Sequence, residues 1–215
     1  MSKRPYLILF IFGMVSFSYI SFNRYTKTLP VIECNEYIKS RSVFIGNLRG
    51  NGTGVILNSK HILTAAHVVA DDKMIFVHTY HNHIGYMKVL YKSKEADFAI
   101  IAAIPNQLDP IKIQRTPENN ESLCVVGNPV ERPFVSANPS VIGLSWWPGP
   151  DMEMKKYLMY SGRGVKPGFS GGGLFNAYNE LLGIVNFCSF NNLICGGVPI
   201  HLIELELSQT EFKLN

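Results

Sequence analysis

The most constraining feature of the chain is a succession of short apolar, β-branched runs, each closed by Gly, Pro or Asn. From Val43 onward such runs occupy residues 43–45, 53–57, 74–78, 85–90, 98–102, 122–126, 141–144, 158–161, 173–175 and 180–186. Runs of this length and spacing predict strands joined by turns, and hence a barrel or a sandwich. A parallel α/β sheet would need helices of roughly ten or more residues between strands. One stretch has helical periodicity, 200–212, where Leu202, Ile203, Leu205, Leu207 and Phe212 fall on one stripe. The chain therefore reads as all-β with a short C-terminal helix. Pro105, Pro110 and Pro117 mark a connection between two halves. His81-Asn82-His83 reads as a hairpin turn, and His61 and His201 as structural histidines.

Composition narrows the function classes. The 215 residues are 47% hydrophobic and 17% charged, which is globular and too poor in charge for a disordered polymer. The net charge is +4, but Lys3, Arg4, Arg24 and Lys27 all precede the first acid, Glu33. Without those four, 16 basic side chains face 16 acidic ones. A neutral body does not suit a nucleic-acid partner, because phosphate binding needs a cationic surface. Four cysteines are too few for a disulfide-dense miniprotein. There is no Cys-x-x-Cys and no histidine spacing suited to a metal, so neither a metal nor a cofactor is expected.

Residues 6–22 contain no charge and follow Lys3 and Arg4. Seventeen uncharged residues reach the lower limit of a spanning helix, and the basic–apolar–polar order is also that of an export signal. Both readings, an uncleaved anchor and a cleaved signal, put the remainder outside the cytoplasm, since the flanking Lys3 and Arg4 stay inside. The membrane, through this segment, is one expected partner and a polypeptide substrate the other. A buried core helix fits less well, because the run has no polar face.

Three segments carry chemistry only when taken together. They are Thr64-Ala65-Ala66-His67, Ala96-Asp97-Phe98-Ala99 and Pro167-Gly168-Phe169-Ser170-Gly171-Gly172-Gly173. Alone, each has a bland explanation: a structural histidine, a turn aspartate, a flexible glycine turn. Their joint occurrence in the order His, Asp, Ser, with gaps of 30 and 73 residues, resembles the trypsin/chymotrypsin-like serine peptidases, in their compact bacterial and viral forms. Gly52-Thr53-Gly54-Val55-Ile56-Leu57, Leu182-Gly183-Ile184-Val185-Asn186-Phe187 and Gly196-Gly197-Val198-Pro199-Ile200 are similar to strands of that family, so the likeness covers about residues 42–207.

The resemblance implies two six-stranded antiparallel β-barrels with a short C-terminal helix, preceded by an N-terminal hydrophobic helix. It divides the chain into an anchor or signal segment (1–27), a linker (28–41), a first barrel (42–110), a connection (111–121) and a second barrel with the C-terminal helix (122–208). It also implies that no C-terminal peptide-binding domain follows. The implied activity is hydrolysis of peptide bonds. Ser170 is the implied nucleophile, a hydroxyl too weak at neutral pH without a base. His67 is the implied base and then acid, because imidazole titrates near working pH. Asp97 orients the ring. The backbone N–H groups of Gly168 and Ser170 form the implied oxyanion hole. Gly164, Val165, Val185, Asn186, Phe187 and Cys188 are the implied substrate-binding residues.

The departures from the family pattern also carry expectations. Phe169 stands where many digestive relatives place an Asp that pairs with a new N-terminal amine, so no switch of that type is expected. Gly173 replaces the usual Pro. Gly164 and Val185 lack the charged or imidazole groups that select basic or acidic side chains. A small or medium apolar residue before the cut is therefore the default, with Arg163 and Lys166 read as solvated charges. Cys188 and Cys195 are close enough in sequence to bridge a loop or to remain thiols, and Cys34 and Cys124 have no evident partner. Trp146 and Trp147 read as a loop cover of the second barrel. The alternative to an enzyme is a binding protein that keeps the fold without turnover.

Overall fold

A computed structural model describes residues 32–105, 107–148, 153–189 and 191–212. The apolar stretch at 6–22, with the helix expected there, lies outside the described residues. Among the described residues no helix is long and apolar enough to cross a membrane.

The chain enters through α1 (Glu36–Arg41), in the stretch expected to be linker. Asn35 caps this helix by accepting a hydrogen bond from the Ile38 N–H at 3.1 Å. Six strands follow: β1 (Ser42–Asn47), β2 (Gly50–Ile56), β3 (His61–Thr64), β4 (Met74–Thr79), β5 (Ile84–Lys92) and β6 (Ala99–Ala102). They close into an antiparallel barrel in the order β1-β2-β3-β6-β5-β4. Closure leaves no edge strand, and alternation sends Ile75, Val77 and Thr79 of β4 inward while Met74 faces solvent. The His81-Asn82-His83 segment forms the β4–β5 turn, with Asn82 at φ 63°. A single helical turn, α2 (Ala66–Val69), leaves the end of β3 and carries His67.

The second half holds β7 (Cys124–Gly127), β8 (Val135–Ala137), β9 (Val141–Pro148), β10 (Met154–Ser161), β11 (Gly173–Phe175), β12 (Leu181–Cys188) and β13 (Ile194–Pro199). These form a seven-stranded sheet in the order β8-β7-β11-β12-β13-β10-β9, one strand more than the six expected, with antiparallel pairing throughout. Trp146 and Trp147 belong to β9 and pair with Lys156 and Lys155 of β10, so they are strand residues rather than a loop cover. The last element is α3 (Ile200–Leu207). Its buried stripe is Ile200, Ile203 and Leu207, at helical spacing, while Leu205 is 65% exposed and leaves the expected stripe.

The two halves share a core. Val55, Leu57, Leu63, Phe98 and Ile100 from the barrel pack in one cluster with Val126, Phe175, Leu181, Ile184 and Val198 of the sheet, and α3 adds Ile203 and Leu207. This common apolar seam fixes the barrel against the sheet, and the loops carrying His67, Asp97 and Ser170 converge there. Two disulfides use all four cysteines. Cys188–Cys195 joins facing positions of β12 and β13. Cys34–Cys124 spans 90 residues and ties the segment before α1 to β7, a pairing with no signal in the cysteine spacing.

Candidate active site

Each of the three chemical segments is held by a different local device. His67 sits in α2, immediately after the buried β3 residues Leu63 and Thr64 and the buried Ala65. Asp97 ends the turn between β5 and β6. Ser93 organises that turn: its hydroxyl oxygen accepts the Ala96 N–H at 2.7 Å and the Glu95 N–H at 3.2 Å, and donates to Glu206 of α3 at 2.9 Å. The same carboxylate accepts the Tyr91 hydroxyl at 2.7 Å. The C-terminal helix thus braces the segment that presents Asp97.

His67 Nδ1 lies 2.5 Å from Asp97 Oδ2, and the His67 backbone N–H donates to Asp97 Oδ1 at 2.8 Å. One carboxylate therefore grips both the ring and the main chain of the same residue. Asn186 Nδ2 donates to Asp97 Oδ2 at 2.7 Å from β12. Burial alone pushes the Asp97 carboxyl up. The hydrogen bonds and charge of His67, joined by the Asn186 amide, outweigh burial and hold the group below the usual carboxylate range. Asp97 is thus a charged partner for the imidazole at neutral pH. By contrast, burial holds His61 and His201 below the usual imidazole range, which fits a structural place for both.

Ser170 and His67 line one cleft. Among the described residues no hydrogen bond joins the Ser170 hydroxyl to the imidazole; bonds of this kind are often long in a free site and tighten with substrate. The turn around Ser170 is fixed on every side. The Ser170 carbonyl accepts the Thr53 N–H, Gly171 N–H donates to Val185 O, and Val185 N–H donates to Gly172 O, each at 2.8 Å. Gly168 has φ +96°, and a Cβ there would stand 2.5 Å from Asn128 O. Gly171 has φ +82°, and its Cβ would stand 2.2 Å from Thr53 O. Only glycine fits either place.

Two backbone donors in this turn remain open. The Phe169 N–H donates to Lys166 O at 3.1 Å, whereas the N–H groups on either side, of Gly168 and Ser170, bond to no described residue. Phe169, out of place as an ion-pair acceptor, is fully buried in the core of the second sheet. Its ring fills the place of a side chain at Gly127, where a Cβ would meet it at 2.2 Å. Packing thus holds the serine turn at a residue where many digestive relatives use an ion pair.

The remaining residues expected at the site belong to the second half, and none of them lines the cleft that Ser170 and His67 share. Val165 and Val185 are buried in the sheet core. Gly164 is at an exposed turn with φ +77°. Phe187 meets Trp147 in a stacked pair at 6.4 Å and Tyr157 edge-on at 5.0 Å. Cys188 is in the disulfide, and Asn186 points at Asp97.

Two residues, Thr53 and Asn128, were not among those expected at the site. Thr53 Oγ1 donates to Gly168 O at 2.7 Å and accepts both the N–H and the Nδ2 of Asn128 at 3.1 Å. Asn128 Nδ2 also donates to Val43 O at 3.1 Å, and Asn128 Oδ1 accepts the Phe134 N–H at 2.9 Å. This polar knot links the barrel to the serine turn, and Asn51 Nδ2 adds a bond to Asn128 O. The sole signal was the Gly52-Thr53-Gly54 segment, whose small residues permit close approach.

A family model described as "Trypsin-like peptidase domain" matches residues 52–184. The chain is 25% identical over 158 residues to the serine endoprotease DegS of Salmonella typhimurium, covering 71% of this chain and 43% of that protein. It is 29% identical over 145 residues to a probable periplasmic serine protease do/HhoA-like of Haemophilus influenzae, covering 64% and 31%. The chain thus spans less than half the length of these relatives. The fold superposes on the active form of the Rv3671c protease from M. tuberculosis with a TM-score of 0.73 at 20% identity, over 81% of this chain and 82% of that one.

Proposed function

The chain belongs to the trypsin-like peptidase domain family, and from that premise we propose that it is a serine endopeptidase working through Ser170, His67 and Asp97. Ser170 attacks the carbonyl carbon of the cleaved bond as His67 takes its proton. The imidazolium so formed gives that proton to the departing amine, and water then repeats the sequence on the acyl-enzyme. Asp97 keeps the ring in one tautomer and stabilises its charged form. The open N–H groups of Gly168 and Ser170 receive the oxyanion; losing one such donor costs about 3 kcal/mol of transition-state stabilisation.

The observation that supports this reading most is the double grip of Asp97 on His67, at 2.5 and 2.8 Å, in a cleft shared with Ser170. A fluorophosphonate probe tests it. Labelling of the wild type, lost in Ser170→Ala and strongly reduced in His67→Ala, is the expected result. A folded wild type that takes no label is instead a binding protein of the same fold.

The activity is placed outside the cytoplasm. Two disulfides that use every cysteine suit an oxidising compartment. The uncharged stretch at 6–22 suits an anchor or an export signal. One relative carries the description periplasmic. The proposed units are a barrel at 42–110 and a sheet with α3 at 122–208, joined by 111–121. The residue before the cut is proposed to be small or medium and apolar, bounded by Gly164, Val165, Val185, Asn186, Phe187 and Cys188.

A further inference from the structure

Beside Ser170 and His67 lies a cavity of about 210 Å³, completed by Asn47, Arg49, Asn51 and Val68 among others. A larger one, of about 750 Å³, adjoins it, and Asn47, Arg49 and Gly50 line both. Because they share this β1–β2 turn, the two are taken together as one groove, from the serine to the barrel face that carries Phe44, Phe76 and Tyr86. Its far part is apolar, with walls from Phe44, Leu48, Met74, Phe76 and Tyr86. Phe44 and Phe76 meet edge-on at 6.3 Å, as do Phe76 and Tyr86 at 5.7 Å. Tyr86 is 68% and Met74 51% exposed, so this face has apolar surface open to a partner.

The near part has one permanent charge. Of the residues lining the smaller cavity, Arg49 is the only one ionised at all working pH values. Its guanidinium has no hydrogen bond or ion pair to any described residue. Its backbone is fixed: Asn47 Oδ1 accepts the Arg49 N–H at 2.8 Å and the Gly50 N–H at 3.0 Å. Asn47 Nδ2 donates to Val68 O at 3.2 Å. The turn that presents Arg49 is thereby tied to the helical turn that carries His67.

Chemistry assigns a direction to this groove. The imidazole that protonates the departing amine must stand beside it. The polypeptide after the cut therefore leaves past His67, over the barrel, into the groove. We propose that the groove selects substrates by their sequence after the cut: an acidic residue in the first or second position, held by Arg49, and a bulky apolar or aromatic residue beyond it, seated on Phe44, Phe76 and Tyr86. Asp72 also lines the far part and disfavours a second acid there. This inference rests on the endopeptidase reading.

The test uses the full chain and quenched fluorescent peptides with one invariant sequence before the cut. After it, Asp, Asn or Lys is placed first or second, and Phe or Gly beyond. The wild type should favour Asp over Lys by roughly five- to tenfold in kcat/KM, because attraction to an exposed cation is exchanged for repulsion. The preference should shrink at high salt. Arg49→Glu should invert the ratio, and Tyr86→Ala, at an exposed position, should erase the advantage of Phe over Gly. A small ester with no residues after the cut is run on the wild type alongside. Ester and peptides turned over with an Asp-to-Lys ratio near one, or a ratio that Arg49→Glu leaves in place, would overturn the inference and leave the peptidase reading standing. Neither ester nor peptide turned over would overturn both.

Discussion

Thr53 and Gly168 lie 115 residues apart, yet the hydroxyl of one donates to the carbonyl of the other at 2.7 Å. That bond crosses from the closed barrel to the serine turn of the second half. With the two Asn128 donors that Thr53 accepts, it holds the strand end and the turn as one unit.

Thr53→Val keeps the shape and deletes the hydroxyl. It removes the Thr53 hydrogen bonds but orphans none of their partners, since the Asn128 N–H still donates to Gly168 O at 3.2 Å and Asn128 Nδ2 to Val43 O at 3.1 Å; a lost hydrogen bond of this kind costs about 0.5–1.5 kcal/mol. Stability should fall by that amount, and kcat should fall about tenfold or more while KM changes little, because the donors beside Gly168 lose their aim. Thr53→Ser should restore most of both. Denaturant unfolding and steady-state kinetics together check this.

Asn186→Ala should act through Asp97. The depressed carboxyl contributes stability that is present above its unfolded value near 3.8 and is lost as pH falls through the lower folded value. Removing the Asn186 amide takes away one of the groups that lower it, so the folded value should move back towards 3.8, and the acid loss of stability should be smaller and finish at higher pH. The measurement is the unfolding midpoint against pH from neutrality down to pH about 3. Asp97→Asn, which also removes the charge, should cost about 10⁴ in kcat.

The alkaline side reports on α3. Hydrogen bonding to Glu206, then burial, then the charge of that carboxylate push the Tyr91 hydroxyl up to about 12. A raised value means that the stability from this contact is complete below pH 10 and is lost as pH rises towards 12. Near-ultraviolet titration should find two tyrosines ionising late: Tyr160, which burial pushes up, and Tyr91. In Glu206→Gln Tyr91 should return towards 10, and the loosened Ser93 turn should lower kcat through Asp97.

Removal of each disulfide should have unequal effects. The Cys34–Cys124 loop spans 90 residues and the Cys188–Cys195 loop 7. On loop-closure entropy, Cys34→Ser with Cys124→Ser should cost about 4–5 kcal/mol, and the shorter pair about 2–3 kcal/mol. Denaturant unfolding of the two double variants, compared with the wild type, checks the order.

Much of the architecture was legible in the chain because strand signals are local. The runs at 74–78, 85–90 and 141–144 fall inside β4, β5 and β9, and alternation or β-branching marks each. Less visible were β3 and β8, of four and three residues, too short to show a period. Leu205 was misplaced on the buried stripe because a helix of eight residues leaves its phase open until it meets a neighbour. Phe169 looked anomalous only while its surroundings were unknown; against Gly127 it is a core residue.

What the chain alone determined is the set of parts: strands from β-branched periodicity, and an imidazole, a carboxylate and a hydroxyl each beside small residues that allow close approach. Tertiary structure decided what those parts touch. The Cys34–Cys124 bridge, the Thr53–Asn128 knot, Glu206 behind Asp97 and Arg49 beside Ser170 all join residues whose separation along the chain bears no relation to their distance in space. Propensity acts over a few neighbours, whereas packing and hydrogen bonding across the seam depend on where the whole backbone has gone.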